Sequence, residues 1–129
     1  MRFDHAGIAT DDAAALVDLY GGLFDAPVAH EETFGELSVT FLDLGNGYFE
    51  LLEPVADADG PISAYLERSG PGIHHVALET DDIEAALDVA READVALIDE
   101  EPRQGAWGHD VAFLHPSATG GVLVEYVEH

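Results

Sequence analysis

Two histidines and two glutamates occupy matching positions in an internal repeat of the sequence. His5 and His75 lie 70 residues apart, each in a short apolar segment that ends in Thr-Asp-Asp. Glu50 and Glu125 each lie in an apolar run late in their half of the chain. An ionised carboxylate in apolar surroundings is costly unless it is paired or bound to a metal. Two imidazoles and two carboxylates suit a divalent ion such as cobalt, manganese, iron, nickel or zinc.

A metal held by these four side chains would keep room for a substrate. An octahedral ion with four protein ligands has two free positions, enough for two substrate oxygens. Structural interpretations stay open, because a single strand histidine is more often structural and a glutamate near a strand end can face solvent. His74 and His75 alternate faces of their strand, so at most one of them points toward a shared site. The coincidence of all four residues in one repeat favours the metal site.

The same repeat predicts the elements that position these residues. Segment 3–12 parallels segment 73–82, and each predicts a first strand followed by a helix. Apolar residues then recur on one helical face in both halves, as Leu16, Leu19, Tyr20, Leu23 and Phe24 and as Ile83, Ala86, Leu87 and Ala90. Asp81 and Glu84 have the spacing of a capping box at the start of the second helix.

Strand-like runs follow each predicted helix. They are Val28–Glu31, Leu37–Leu44 and Tyr48–Leu52, with a turn at Gly45–Gly47, and then Ala96–Ile98, Val111–His115 and Val122–Val127, with a turn at Ser117–Gly121. Each half is therefore predicted to be a β-α-β-β-β module, and the fold class is α+β.

The domain organisation follows from the length of the two halves. Module 1 covers about residues 1–56 and module 2 about residues 72–129. A bridging helix at about 60–70 connects them, started by Pro61 and stopped by Gly70. A module of about 60–70 residues buries too little apolar surface to make a good core alone. We therefore expect one domain over residues 1–129.

The charge of the chain excludes several classes of partner. Four arginines and no lysine oppose 27 acidic residues, and the net charge is −23. Nucleic acids and anionic membranes require basic patches that this sequence lacks, so neither is an expected partner. Apolar runs fall short of the roughly 20 residues of a membrane span, and the N-terminal residues show no apolar signal segment. A cytoplasmic location is expected, and the absence of cysteine excludes thiolate metal sites.

Self-repulsion at this charge leads to our first prediction. The repulsion destabilises a compact state in dilute buffer, whereas molar salt shortens the screening length to about 3 Å. We expect a protein of the halophilic type that loses structure on dialysis into low-salt buffer. Circular dichroism measures this loss, and an unchanged spectrum would refute the prediction.

Several segments resemble the vicinal-oxygen-chelate (glyoxalase/bleomycin-resistance/dioxygenase) superfamily and, within it, the methylmalonyl-CoA epimerases. The resemblance runs nearly end to end and is carried by Asp4–Ala9, Glu50–Pro54, Gly72–Ala77, Asp99–Arg103, Phe113–Pro116 and Thr119–Glu125. It implies that the paired modules form a curled mixed sheet around one divalent ion. By this resemblance the metal ligands are His5, Glu50, His75 and Glu125.

The resemblance also implies a reaction on a CoA thioester. Epimerisation at the carbon between a thioester and a carboxylate removes a proton from one face and returns it to the other, so each side needs a general base. A metal bound to both oxygens would stabilise the enolate. Glu125 is the family-derived candidate for one base, and Glu50 is grouped with it as a candidate catalytic residue. Some bacterial relatives carry the partner base where this chain has Val39, which leaves the second base unassigned.

Few cations are available to hold an anionic CoA thioester. The candidate substrate-binding residues are Arg103, His115, Trp107 and Arg68, although structural roles are equally open for His115 and Trp107. Relatives of the epimerase are generally dimeric, so a homodimer is expected.

The remaining histidines and the chain as a whole allow further interpretations. His30 and His129 are predicted to face solvent. A glyoxalase I-like lyase would use the same ligand pattern on a thiol adduct, and the epimerase-like segments between the ligands disfavour it. A metal-free binding module of the drug-sequestering type would need no ligand set. A metal-dependent dioxygenase is disfavoured because such sites typically have three protein ligands.

Overall fold

The computed structural model describes all residues from Met1 to His129. Its three α-helices are Ala13–Phe24 (α1), Pro61–Ser69 (α2) and Ile83–Glu92 (α3). Its eight strands are Arg2–Ala9 (β1), Val28–Phe34 (β2), Leu37–Asp43 (β3), Tyr48–Pro54 (β4), Gly72–Glu79 (β5), Arg103–Gln104 (β6), Asp110–Leu114 (β7) and Val124–Glu128 (β8). None of the helices combines the length and apolarity that crossing a bilayer requires.

Two compact units make up the chain. The first unit is His5–His74, and the second unit is His75–His129 together with Met1–Asp4. Strands follow the order β2-β3-β4-β1 in the first unit and β6-β7-β8-β5 in the second. In each unit the first strand pairs with the last in parallel, and the remaining neighbours are antiparallel. The predicted α+β class and the β-α-β-β-β repeat are confirmed, while the single domain stays a prediction. The bridging helix α2 belongs to the first unit, where it packs against β4.

Helix α3 buries the face that the sequence predicts. Its buried residues are Ile83, Ala86, Leu87 and Ala90. Ile83 and Leu87 form a cluster with Ala112 of β7, so the helix covers one face of the strands of the second unit.

Helix α1 buries only part of the face predicted for it, at Leu16 and Tyr20. Leu19, Leu23 and Phe24 are half or more exposed. The buried contacts instead come from Ala13, Leu16, Val17 and Tyr20, which pack against Leu42 and Leu51. These residues have the same i, i+3, i+4, i+7 spacing, starting one turn earlier at a small alanine. The periodicity was therefore right, and the helix rotation was wrong.

Matching carboxylates cap the two helices. Asp12 accepts a hydrogen bond from Ala15 N at 3.1 Å, and Asp82 accepts one from Ala85 N at 3.0 Å. The capping box predicted from Asp81 is therefore wrong by one residue. Asp81 instead accepts a hydrogen bond from Arg2 at 2.8 Å, which holds the pKa of its carboxyl below its usual range.

A second pair of carboxylates ties each helix to the last strand of its unit. Glu53 of β4 accepts a hydrogen bond from Ala13 N at 2.7 Å, and Glu128 of β8 accepts one from Ile83 N at 2.8 Å. These two backbone donors have no partner within their helices, because the first turn of a helix leaves its N–H groups unpaired. The carboxylates satisfy them and are favourably placed at the positive helix ends.

Removing one of these carboxylates is expected to destabilise the fold. Glu128→Ala leaves the Ile83 N–H without its acceptor and should lower the free energy of unfolding by about 1–2 kcal/mol. Glu128→Gln keeps an acceptor oxygen and should lose less. Denaturant unfolding in molar salt measures both, with exposed Glu92→Ala as the control. Equal stability of Glu128→Ala and wild type would contradict this role.

The run Ala96–Ile98, predicted as a strand, forms only an isolated bridge between Leu97 and Leu114. The Asp99 side chain accepts a hydrogen bond from Phe113 N at 2.8 Å. This backbone N–H is therefore not available for a β-ladder between the Ala96–Ile98 run and β7. Pro102 has no N–H to continue the pairing. The short strand β6 occupies this edge of β7 instead.

The remaining predicted strands are present with small shifts of their ends. β2 extends to Phe34, three residues beyond its predicted end, and β8 begins at Val124, two residues after the predicted start. The turn between β3 and β4 is confirmed, with Leu44 N donating to Gly47 O at 2.9 Å.

Candidate functional site

In the first unit, His5 and Glu50 lie together on adjacent parallel strands. His5 is 3% exposed and Glu50 6% exposed, and 3.3 Å separates His5 Nε2 from Glu50 Oε1. Glu50 pairs with Gly7 of β1, two residues beyond the histidine, so both side chains are on the same face of the strands.

Phe41 of β3 completes this arrangement in the first unit. It stands directly opposite Glu50 in the β3/β4 ladder. Its ring meets the imidazole of His5 edge-on, with 5.6 Å between the ring centroids. The phenylalanine ring thus lies beside both the imidazole and the carboxylate.

The second unit repeats the same construction. His75 of β5 is 4% exposed and Glu125 of β8 is 7% exposed. Glu125 pairs with Ala77, again two residues beyond the histidine. Phe113 of β7 stands opposite Glu125 and meets the His75 ring edge-on, with 5.4 Å between centroids.

His74 differs from its neighbour His75 as strand alternation predicts. It is partly exposed, and its ring packs edge-on against Tyr65 of α2 at a centroid separation of 5.2 Å. The hydroxyl of Tyr65 donates to Ile73 O at 2.8 Å, which fixes the ring beside this strand. His74 therefore belongs to the packing of α2, and His75 is the buried histidine.

The donor set in each unit suits a divalent cation. Glu50 and Glu125 are buried in a chain that already carries a charge of −23, and a buried carboxylate is strongly disfavoured without compensation. Imidazole nitrogen and carboxylate oxygen are ligands for zinc, cobalt, manganese, nickel and iron. A cation bound at these groups would balance the negative charge of the carboxylates. The residues present therefore fit a metal ion.

Arg103 is the substrate-binding candidate that lies beside one of these arrangements. Its guanidinium carbon lies 5.5 Å from the centroid of the Phe113 ring, which also contacts the ring of His75. Asp99 Oδ1 accepts a hydrogen bond from Arg103 Nε at 3.1 Å and holds the side chain in that position. The other guanidinium nitrogens take no part in this hydrogen bond, and they can donate hydrogen bonds to an anion.

Trp107 and His115 have structural partners in the second unit. Trp107 stacks on His109, which stacks on His129 at a centroid distance of 3.9 Å. The ring of His115 accepts a hydrogen bond from Ser117 N at 3.1 Å and caps the turn after β7. Arg68, the remaining candidate, lies in the first unit with its guanidinium over the ring of Tyr65.

The loop that carries Trp107 depends on a glycine at its start. A Cβ on Gly105 would lie 2.7 Å from Cγ1 of Val111, which no side chain tolerates. Trp107 itself has a left-handed φ of 63°, a conformation uncommon for residues other than glycine. The loop is thus fixed by close packing on β7.

His30 and His129, both predicted to face solvent, have partners. His30 Nε2 lies 2.9 Å from Glu32 Oε2, and both side chains are mostly buried. His129 is exposed, but its Nε2 lies 2.6 Å from Oδ1 of the buried Asp4. For both residues the prediction missed the carboxylate partner.

Sequence reasoning also missed the two phenylalanines. Phe41 and Phe113 lie 72 residues apart, close to the 70-residue spacing of the histidines. Aligning the segments Thr40–Leu42 and Ala112–Leu114 in the repeat would have found them.

Comparison with known proteins identifies relatives of this chain. Residues 4–113 match the family model of the Glyoxalase/Bleomycin resistance protein/Dioxygenase superfamily. The mitochondrial methylmalonyl-CoA epimerase of Dictyostelium discoideum is 40% identical over 98% of this chain and 78% of its own length. An ethylmalonyl-CoA/methylmalonyl-CoA epimerase of Cereibacter sphaeroides is 38% identical over 96% of this chain and 95% of its own.

A solved structure is similar over the whole chain. It is a Streptomyces coelicolor methylmalonyl-CoA epimerase variant in complex with 2-nitronate-propionyl-CoA, with a TM-score of 0.90 and 34% identity. The match covers 99% of this chain and 94% of that one. The family predicted from the sequence is confirmed: the chain belongs to the methylmalonyl-CoA epimerases of the glyoxalase/bleomycin resistance protein/dioxygenase superfamily.

Proposed function

We propose that this chain is a metal-dependent epimerase that interconverts the two C2 epimers of methylmalonyl-CoA. The observation that carries the proposal is the buried imidazole and carboxylate built at the same register in both units. Membership of the epimerase family supports the reaction and the isomerase class. The CoA thioester bound by the Streptomyces coelicolor relative supports the substrate class.

The metal would be held by His5 and Glu50 from the first unit and by His75 and Glu125 from the second. His5, Glu50 and His75 offer buried ligand atoms of the kind that hold such an ion. The mixed nitrogen and oxygen donors accept cobalt, manganese, nickel, iron or zinc. When bound, the ion supplies a Lewis acid that stabilises the negative charge developing on the thioester oxygen.

Glu125 is proposed as the proton acceptor on one face of the substrate. Abstraction breaks the C2–H bond, places the proton on a carboxylate oxygen and leaves the electron pair in the enolate. Glu125 is buried beside Phe113 and the strands of its unit, so its carboxylate has little contact with bulk water. Glu50 is proposed as a ligand and as the second candidate catalytic carboxylate.

Arg103 is proposed to hold an anionic group of the CoA thioester. It has a fixed position over Phe113, set by Asp99, and its guanidinium can bind a carboxylate or a phosphate through paired hydrogen bonds. We also propose Trp107, His115 and Arg68 as substrate-binding residues. Their contacts in the structure equally explain them as packing residues. The homodimer and the cytoplasmic location also stay proposals.

Proton exchange in heavy water tests the proposed function. The protein in molar salt, saturated with Co²⁺, is incubated with methylmalonyl-CoA, and mass spectrometry follows replacement of the α-proton by deuterium. We expect exchange that requires the metal. If the folded, metal-loaded protein exchanges no α-proton, the proposal is wrong. Turnover of a hemithioacetal of methylglyoxal in its place would establish the lyase.

A further inference from the structure

We infer that His30, held in place by Glu32, is the second proton-transferring residue of the epimerase. The inference rests on the proposed function and deepens it. Return of a proton to the opposite face of C2 needs a donor other than Glu125. Val39 of the neighbouring strand β3 is buried and apolar and cannot transfer a proton.

The register of the first unit places His30 in line with the candidate metal ligands. His30 of β2 stands opposite Phe41 of β3, which stands opposite Glu50 of β4. Residues directly opposite each other in antiparallel strands project from the same face. The centroid of the Phe41 ring is 6.3 Å from that of His30 and 5.6 Å from that of His5. One row of side chains therefore runs from His30 to the ligands His5 and Glu50.

An irregularity in β2 occurs directly before this histidine. Val28 pairs with Leu42 and His30 pairs with Phe41, so Ala29 is an extra residue in the β2 strand. Such bulges bend a strand and change the direction of the side chains that follow. Here the bulge brings His30 opposite Phe41 and so into the row of the ligands.

Glu32 gives the imidazole a fixed orientation. Its Oε2 lies 2.9 Å from His30 Nε2, and each side chain is 27% exposed. A carboxylate in this position fixes the orientation of the ring, as in other imidazole–carboxylate pairs of enzymes. Glu32 itself stands opposite Val39 in the β2/β3 ladder, so the His30–Glu32 pair lies beside a buried position that has no titratable group. His30 is the catalytic residue of the pair, and Glu32 is the positioning residue.

The proton transfers balance over one turnover. For one epimer the C2–H bond breaks, the proton passes to Glu125 and the electron pair enters the enolate. A new C2–H bond then forms on the other face with a proton from the imidazolium of His30, which becomes neutral. The other epimer uses the same groups in reverse, and exchange with water restores both protonation states.

Separate measurement of exchange and interconversion tests the assignment. Each epimer of methylmalonyl-CoA is incubated in heavy water and molar salt with Co²⁺-saturated protein, and deuterium uptake and epimer ratio are followed. His30→Asn should slow interconversion about 10²–10⁴-fold, while one epimer still exchanges its α-proton through Glu125. Glu32→Gln should slow interconversion by a smaller factor. The control Glu31→Gln changes an exposed neighbour in β2 by the same charge and should behave as wild type.

Three results would overturn the assignment. Interconversion by His30→Asn at the rate of Glu31→Gln would show that His30 transfers no proton. If His30→Asn loses exchange equally from both epimers while it keeps its fold and bound Co²⁺, the effect of the substitution is a general structural one. Glu32→Gln provides a second test, because it weakens the His30–Glu32 pair without removing the imidazole ring. Wild-type protein that neither exchanges nor interconverts would instead refute the proposed function, and the assignment with it.

Discussion

Glu125→Gln is expected to reduce interconversion of the epimers of methylmalonyl-CoA by about 10²–10⁴-fold, the contribution typical of a positioned general base. The amide has nearly the same shape as the carboxylate, so the packing against Phe113 is kept. It cannot accept the α-proton, and it also removes one negative charge from the proposed set of metal ligands. The measurement is the initial rate at saturating Co²⁺ in molar salt.

Glu92→Gln provides the matched control for this variant. Glu92 ends α3, is exposed, and loses the same charge on substitution. Its rate should equal that of wild type, because neither packing nor a ligand changes. A Glu125→Gln rate within about threefold of this control would exclude Glu125 as a base, since the expected range starts at 10².

His75→Ala is expected to weaken metal binding by about 10²-fold or more. Changes to groups that merely support a ligand already weaken binding 10–100-fold, so loss of a ligand should cost about 10²-fold or more. At a metal concentration about 100 times the dissociation constant, binding stabilises wild type by about 2.7 kcal/mol. A 100-fold weaker variant would keep only about 0.4 kcal/mol of that stabilisation. Thermal unfolding with and without Co²⁺ measures the difference, and His5→Ala should behave in the same way.

His74→Ala is the control for the loss of an imidazole next to the ligand. His74 is adjacent in sequence to His75 but packs on Tyr65 of α2. The variant should bind one equivalent of Co²⁺ and keep its metal-dependent stabilisation, with a small loss of intrinsic stability. Undiminished metal binding by His75→Ala would remove the basis of the proposed function.

Site residues and element order could be predicted from the sequence where two copies of one pattern could be compared. The repeat identified His5, His75, Glu50 and Glu125 as equivalent residues, and the structure confirms that all four are buried. It also gave the β-α-β-β-β order, because the apolar period changes from strand to helix at the same place in both halves.

Features specific to one half were harder to predict. The Ala96–Ile98 run has the composition of a strand, but the hydrogen bond from Phe113 N to the Asp99 side chain competes with its ladder. His30 has no counterpart in the repeat, and its position depends on a bulge that composition does not reveal. The rotation of α1 depended on Ala13, whose small side chain gives little signal in a pattern of large apolar residues.

The cross-strand pairing of Phe41 with Glu50 and of Phe113 with Glu125 restricts how this protein can change in length. A single-residue insertion within β3, β4, β7 or β8 would turn every following side chain to the opposite face of its strand. The carboxylate or its aromatic neighbour would then leave the interior. Insertions and deletions in natural variants should therefore accumulate in turns such as Gly45–Gly47, whereas the strands keep a constant number of residues.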